Sequence, residues 1–227
     1  MSYTHSISSR MINLVDKTSI IPIIEIEDTR HAVPLAETLI NAGMSVIEVV
    51  LRTANALEAI REIAQNTTCT VGAGSLVSVD DVIKSREAGA SFGVSPGSTP
   101  ALVDACMDLD FPYLPGAVTA SEMMSLAEKG ITMLKFFPAE PAGGIPYLKS
   151  IMGPLPHLRF CPTGGVNESN FMDYLSLNNV ACVGGSWIAP TKSINDQDWE
   201  TISYNVERNL IIRDRVLKIS KNKIDLL

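Results

Sequence analysis

The run TMLKFFPAE, residues 132–140, holds one lysine among methionine, leucine and two phenylalanines. Burying an ammonium without a partner costs several kcal/mol, so a lysine in this company is either paired or reactive. If paired, Lys135 snorkels or forms a structural ion pair, with Glu48 of VIEVV (46–50) as the carboxylate. If reactive, it is a desolvated amine that attacks a ketone and forms a Schiff base. Arg52, at the end of its apolar run, serves either its own loop or a bidentate clamp on a carboxylate. Alternate residues of a strand share a face. That rule puts Glu48, Val50 and Arg52 on one face, Met133, Lys135 and Phe137 on another, and Ala73 with Ser75 on a third. A base, a carboxylate and an arginine on separate strands could thus converge.

The second chemical signal is a pair of double glycines, in PTGGVNES (162–169) and VGGSW (183–187). A glycine lets backbone N–H groups approach an anion with no Cβ in the way. One GG after a strand is an ordinary tight turn. Two, after the last two strands of a barrel, fit the phosphate site that such loops build. His5 and His157 read as lying near turns and His31 at a helix start, without HxH or HExxH spacing, so no metal site is implied. No GxSxG elbow or Ser-His-Asp order appears either.

Positioning these groups requires a regular scaffold. Apolar stretches recur at 20–26, 45–51, 69–75, 91–97, 111–117, 132–138, 158–164 and 180–186, each followed by a helix-like segment. Thr119 with Glu122 reads as a capping box, Thr99 precedes Pro100 at a first helical position, and Ser78 opens SVDDVIKSREAG. Gly43, Gly89 and Gly130 end helices. Eight βα units with no linker or low-complexity tract predict one domain over 1–227, an α/β fold of the (β/α)8 TIM-barrel class; a doubly wound open sheet is the competitor. An extra N-terminal helix within 1–17, from about Ile7 to Val15, would plug the bottom of the barrel. Residues 208–227 read as a partly basic, solvated helical tail that frays at its end. In such a barrel the site lies at the C-terminal ends of the strands.

Composition narrows the function classes. A net charge of −7 disfavours nucleic-acid and anionic-membrane surfaces. The N-terminus lacks the apolar core of a signal peptide, and no apolar run reaches the roughly 18 residues of a membrane span. Cys69, Cys106, Cys161 and Cys182 are scattered and read as reduced, buried thiols. The expectation is a cytoplasmic protein.

The segments IEVVLRT (47–53), VGAGSL (71–76), SPG (95–97), LKFFPAE (134–140), RFCPTGG (159–165) and VGGSW (183–187) together resemble the 2-keto-3-deoxy-6-phosphogluconate (KDPG) aldolases, also called 4-hydroxy-2-oxoglutarate (KHG) aldolases. The resemblance runs from about Ile20 to Trp187. It implies a metal-free, cofactor-free class I aldolase of carbohydrate metabolism (the Entner-Doudoroff pathway), a homotrimer acting on a phosphorylated 2-keto acid. By the same resemblance Lys135 is the Schiff-base lysine, Glu48 the proton-transferring carboxylate, and Arg52 with Ser75 the carboxylate holders. Thr163, Gly164, Gly165, Gly185 and Ser186 would receive the phosphate. Two positions depart from the family pattern. Ser75 and Val50 stand where threonine is common, so one rotamer-stiffening methyl and one inward hydroxyl are missing. Phosphogalactonate aldolase, acting on the C4 epimer, and a non-catalytic phosphate-binding barrel are the alternatives.

Overall fold

The structure, a computed structural model, describes residues 3–16 and 18–224, with side chains for 7–16 and 18–214. Among the described residues nine strands, paired in parallel, alternate with helices, except that the fifth is followed directly by the sixth. They are β1 (Ile20–Ile24), β2 (Val46–Val50), β3 (Thr70–Gly74), β4 (Phe92–Val94), β5 (Tyr113–Leu114), β6 (Gly116–Ala117), β7 (Met133–Phe136), β8 (Arg159–Pro162) and β9 (Val183–Gly185). The helices are α1 (Tyr3–Val15), α2 (Ala32–Asn41), α3 (Ala56–Asn66), α4 (Val79–Glu87), α5 (Pro100–Asp108), α6 (Ala120–Glu128), α7 (Gly144–Met152), α8 (Phe171–Leu175), α9 (Thr191–Asn195) and α10 (Trp199–Ile224).

A six-stranded sheet runs β5-β4-β3-β2-β1-β9 and a three-stranded sheet runs β6-β7-β8. The stretch expected as one fifth strand is two, because Pro115 between β5 and β6 has no N–H to donate to a ladder. Its carbonyl still accepts the Lys135 N–H at 2.8 Å. On the other side isolated parallel bridges, Phe160 to Val180 and Thr163 to Gly184, join β8 to β9. The result is a TIM-barrel-like α/β fold with parallel strands. Strand ends are shorter than the apolar runs suggest: Ser95, Pro96 and Gly97 fall after β4, and β9 begins only at Val183.

Both faces of each strand are covered, so strands such as β2 are buried at every residue. Outward residues, among them Ile47, Val49, Leu134 and Phe136, pack with the helices. Inward residues Ile21, Val46, Phe92, Val94, Leu114, Met133, Cys161 and Cys182 form a separate apolar layer near the strand starts, and Met11 and Val15 of α1 pack into it. Helix starts are set by short polar side chains. Thr119 and Glu122 form a reciprocal capping box, Ser78 forms another with Asp81, and Thr99 accepts from the Leu102 N–H.

Two elements differ from the sequence reading. His5 falls within α1 and not at a turn. The C-terminal segment is no separate tail from 208, because α10 starts at Trp199 and buries Ile202, Val206 and Asn209, with Leu210 against the core. The final residues of the expected tail, 225–227, lie outside the described residues. Among the described residues no helix is long and apolar enough to cross a membrane.

Candidate active site

Two inward positions above the apolar layer, one residue pair further along their strands, carry charge. Val46 is followed by Glu48 on β2, and Met133 by Lys135 on β7. Lys135 Nζ donates to Glu48 Oε1 at 3.0 Å and to Oε2 at 3.5 Å. Their side chains are only 7% and 3% exposed, so the pair is desolvated as a unit. Room for the carboxylate comes from β3: a Cβ on Gly74 would lie 2.2 Å from Glu48 Oε1. The Lys135 Nζ also sits 5.5 Å from the centre of the Phe137 ring, within reach of its negative face.

These groups open into a cavity of about 170 Å³. Glu48, Arg52, Ser75, Lys135, Thr163, Gly164, Gly165, Gly185 and Ser186 all line it. Arg52 stands half exposed at the rim, with Nη1 3.7 Å from Glu25 Oε1. Ser75 reaches the cavity by a route that strand parity does not give. Ala73 faces the helices and Gly74 faces inward, so simple alternation would turn Ser75 outward with Ala73. A left-handed backbone at Ser75, φ 63°, ends the alternation and brings it to the cavity.

The glycines divide the work differently from the sequence expectation. Gly164 (φ 96°) and Gly165 (φ 83°) need the left-handed region. Among the described residues the N–H groups of Gly165 and Val166 donate to no protein acceptor. Gly185, in contrast, lacks a side chain because Trp187 occupies its place: a Cβ there would lie 1.6 Å from the indole ring. Gly184 makes room inward, for Thr163 Oγ1 and Ile23.

Several residues near the cavity were not singled out from the sequence. Ile23, Val166 and Gly184 line it, and Pro96 and Phe137 contribute from the SPG and KFFPAE segments. Glu140, the last residue of KFFPAE, accepts a short hydrogen bond from the Tyr174 hydroxyl and lays its methylenes where a Gly165 Cβ would be. Burial raises the Tyr174 phenol above its ordinary value, and the Glu140 carboxylate pushes the same way. These contacts join residues far apart in the chain, and no local pattern marks them.

No histidine lines the cavity. Among the described residues no group of three His, Cys, Asp or Glu side chains could hold a metal ion. All four cysteines are free and buried. Burial pushes the Cys69 and Cys106 thiols up to about 12, and Cys182 is raised by its hydrogen bond with Cys161 and then by burial.

The chain matches the KDPG and KHG aldolase family over residues 11–204. It is 43% identical over 185 residues to a 2-dehydro-3-deoxy-phosphogluconate aldolase of Pseudoalteromonas atlantica, covering 81% of this chain and 86% of that one. It is 42% identical to the KHG/KDPG aldolase of Escherichia coli K12, covering 81% and 87%. Among solved structures it resembles the KDPG aldolase of Legionella pneumophila, captured with pyruvate as a covalent carbinolamine, with TM-score 0.85, 40% identity and 87% and 97% of the two chains covered. The Zymomonas mobilis KDPG aldolase with 3-phosphoglycerate gives TM-score 0.83 and 37% identity over 88% and 95%. A match of this extent, on a chain that buries a lysine–glutamate pair beneath a glycine-lined cavity, places it in a family: it belongs to the KDPG and KHG aldolases.

Proposed function

We propose that the chain is a class I aldolase that cleaves KDPG to pyruvate and glyceraldehyde 3-phosphate, and KHG to pyruvate and glyoxylate. The observation that carries this reading is Lys135. Its amine is buried at the floor of an open cavity, 3.0 Å from a carboxylate that can take and return a proton. The relative captured as a pyruvate carbinolamine supports the same chemistry.

In this mechanism Glu48 takes a proton from Lys135, the free amine adds to the C2 ketone, and Glu48 returns the proton to the carbinolamine hydroxyl, which leaves as water and gives a protonated imine. Glu48 takes the C4 hydroxyl proton as the C3–C4 bond breaks, and the bond's electrons pass into the iminium. The aldehyde leaves and an enamine remains. Glu48 returns the proton to C3, and water hydrolyses the imine to release pyruvate and the free amine. The proton taken from the C4 hydroxyl is the one delivered to C3, so the cycle closes without external acid or base. Arg52 and Ser75 hold the C1 carboxylate at the rim. Thr163, Gly164, Gly165, Gly185 and Ser186 receive the phosphate, and the unpaired N–H groups of Gly165 and Val166 support that assignment.

The scaffold in this reading is a single-domain (β/α)8 barrel with α1 as an extra helix at its base. The pieces β5 and β6 count as one strand, and the β8–β9 bridges close the ring. The family resemblance extends the proposal to a homotrimeric, cytoplasmic enzyme of the Entner-Doudoroff pathway. Borohydride reduction in the presence of pyruvate tests the core of it. A mass adduct on the Lys135 peptide is expected; an unmodified Lys135 in an active preparation would refute the imine. Turnover of KDPG, its galactonate epimer and KHG, measured side by side, then fixes the substrate.

A further inference from the structure

The loop after β8 satisfies the carbonyls of Thr163, Gly164 and Gly165 but leaves two consecutive N–H donors open. The Thr163 carbonyl accepts the Ala139 N–H at 2.7 Å and the Gly164 carbonyl accepts the Glu140 N–H at 3.0 Å. The Gly165 carbonyl accepts two side-chain amides, Asn167 Nδ2–H and Asn170 Nδ2–H, each at 3.1 Å. The N–H groups of Gly165 and Val166 have no protein partner among the described residues. In a trans peptide the N–H points opposite to the C=O. Carbonyls drawn toward Glu140 and the two asparagines therefore turn these N–H groups to the other side, where Gly165 and Val166 line the cavity and the asparagines do not.

The orientation of both amides is fixed from within the loop. Asn170 Oδ1 accepts the Asn167 N–H at 2.8 Å, which leaves the Asn170 NH₂ facing Gly165. Asn167 Oδ1 accepts from the Ser169 N–H at 2.9 Å and from its hydroxyl at 2.6 Å, so the Asn167 NH₂ faces the same carbonyl. Without an N–H donor at both positions the Gly165 carbonyl would be untethered, and Gly165, at φ 83°, is permissive enough to let the Gly165–Val166 peptide turn.

We propose that Asn167 and Asn170 are positioning residues for phosphate recognition. By tethering the Gly165 carbonyl they hold the Val166 N–H aimed at the phosphate monoester, so that the loop need not reorder when substrate arrives. This rests on the phosphate reading above. A purely structural role for the two side chains would weaken all substrates alike, whereas the positioning role acts only on substrates that carry phosphate.

The test is steady-state kinetics on Asn167→Ala, Asn170→Ala and the double variant, with KDPG and KHG as substrates and inorganic phosphate as competitor. Each single change is expected to raise KM for KDPG about threefold and the double at least about tenfold, the scale of one or two neutral hydrogen bonds. KM and kcat for KHG should stay within about twofold, which also certifies the fold, and inhibition by inorganic phosphate should weaken in step with KM for KDPG. Equal losses on KDPG and KHG, or no change on either, would overturn the proposal. The underlying reading is checked in the unmodified enzyme. If inorganic phosphate does not compete with KDPG there, the phosphate subsite itself is absent and the proposal falls with it. Competition that persists undiminished in the double variant overturns only the role of the asparagines.

Discussion

The two inward glycines of β3 leave the same space, and different groups fill it. At Gly72 the ring of Phe92 occupies it, with a hypothetical Cβ 2.3 Å from the ring edge. At Gly74, two residues further on, the Glu48 carboxylate does, at 2.2 Å. The same step recurs around the interior: Val46 to Glu48, Met133 to Lys135, Cys161 to Thr163. The lower end is a sealed apolar layer with α1 against it, and the upper end is an open cavity lined by charge and backbone. One strand period separates packing from chemistry, so changes in the two layers should fail in different ways.

The largest effect belongs to the upper layer. Lys135→Arg keeps a positive charge but presents a guanidinium that cannot add to a ketone, so kcat should fall at least ~10³-fold, roughly 4 kcal/mol of barrier. Lys135→Met should be as inactive, because no amine remains to add to the ketone. Turnover surviving in either variant would return Lys135 to a structural role and erase the distinction between the layers.

The lower layer should respond in the opposite way. Phe92→Ala removes a fully buried ring at the base, a loss of about 3–5 kcal/mol of stability. For a chain of this size that lowers the melting temperature by roughly 10 °C. Below that temperature kcat should remain near the unmodified value; a fall parallel to Lys135→Met would show that the layers are not independent.

Gly74→Ala sharpens the contrast further, since a Cβ there would lie 2.2 Å from Glu48 Oε1 and 2.7 Å from its Cγ. Displacing the carboxylate should cost about 10²-fold in kcat, read by steady-state kinetics on KDPG. The smallest effect is none. The imine is the electron sink in the proposed cycle, so exhaustive chelation should leave the cleavage rate where it was. Activity lost to EDTA and restored by Mg²⁺ would contradict the mechanism.

The periodic parts of this molecule were legible in the sequence. Apolar runs, caps and terminal glycines located strands and helices, and Lys135 stood out because its neighbours are apolar. Legibility ended where backbone geometry departs from the repeat. Ser75 reaches the cavity because one residue adopts φ 63°, which alternation cannot anticipate. The break at Pro115 follows from a missing donor in a run that otherwise reads as one strand. Gly185 suggested room for an anion, and its missing side chain also makes room for Trp187, a contact set by where the ring folds back. The anchors of the loop after β8, Glu140, Asn167 and Asn170, lie where no period exists to read.

The folding back of Trp187 also gives the cavity an optical reporter. Its indole lies over Gly185, donates to Asn209 Oδ1 at 3.1 Å and packs against Phe171 at 5.8 Å, directly after the cavity residue Ser186. The chain has only two tryptophans, and the other, Trp199, sits edge-on to His31. In the proposed phosphate site, an anion beside Ser186 would bring close to two negative charges next to one emitter and leave the other in its own surroundings. In a Trp199→Phe background, the emission of the remaining indole would follow occupancy of the site in real time, with no label attached and no turnover required.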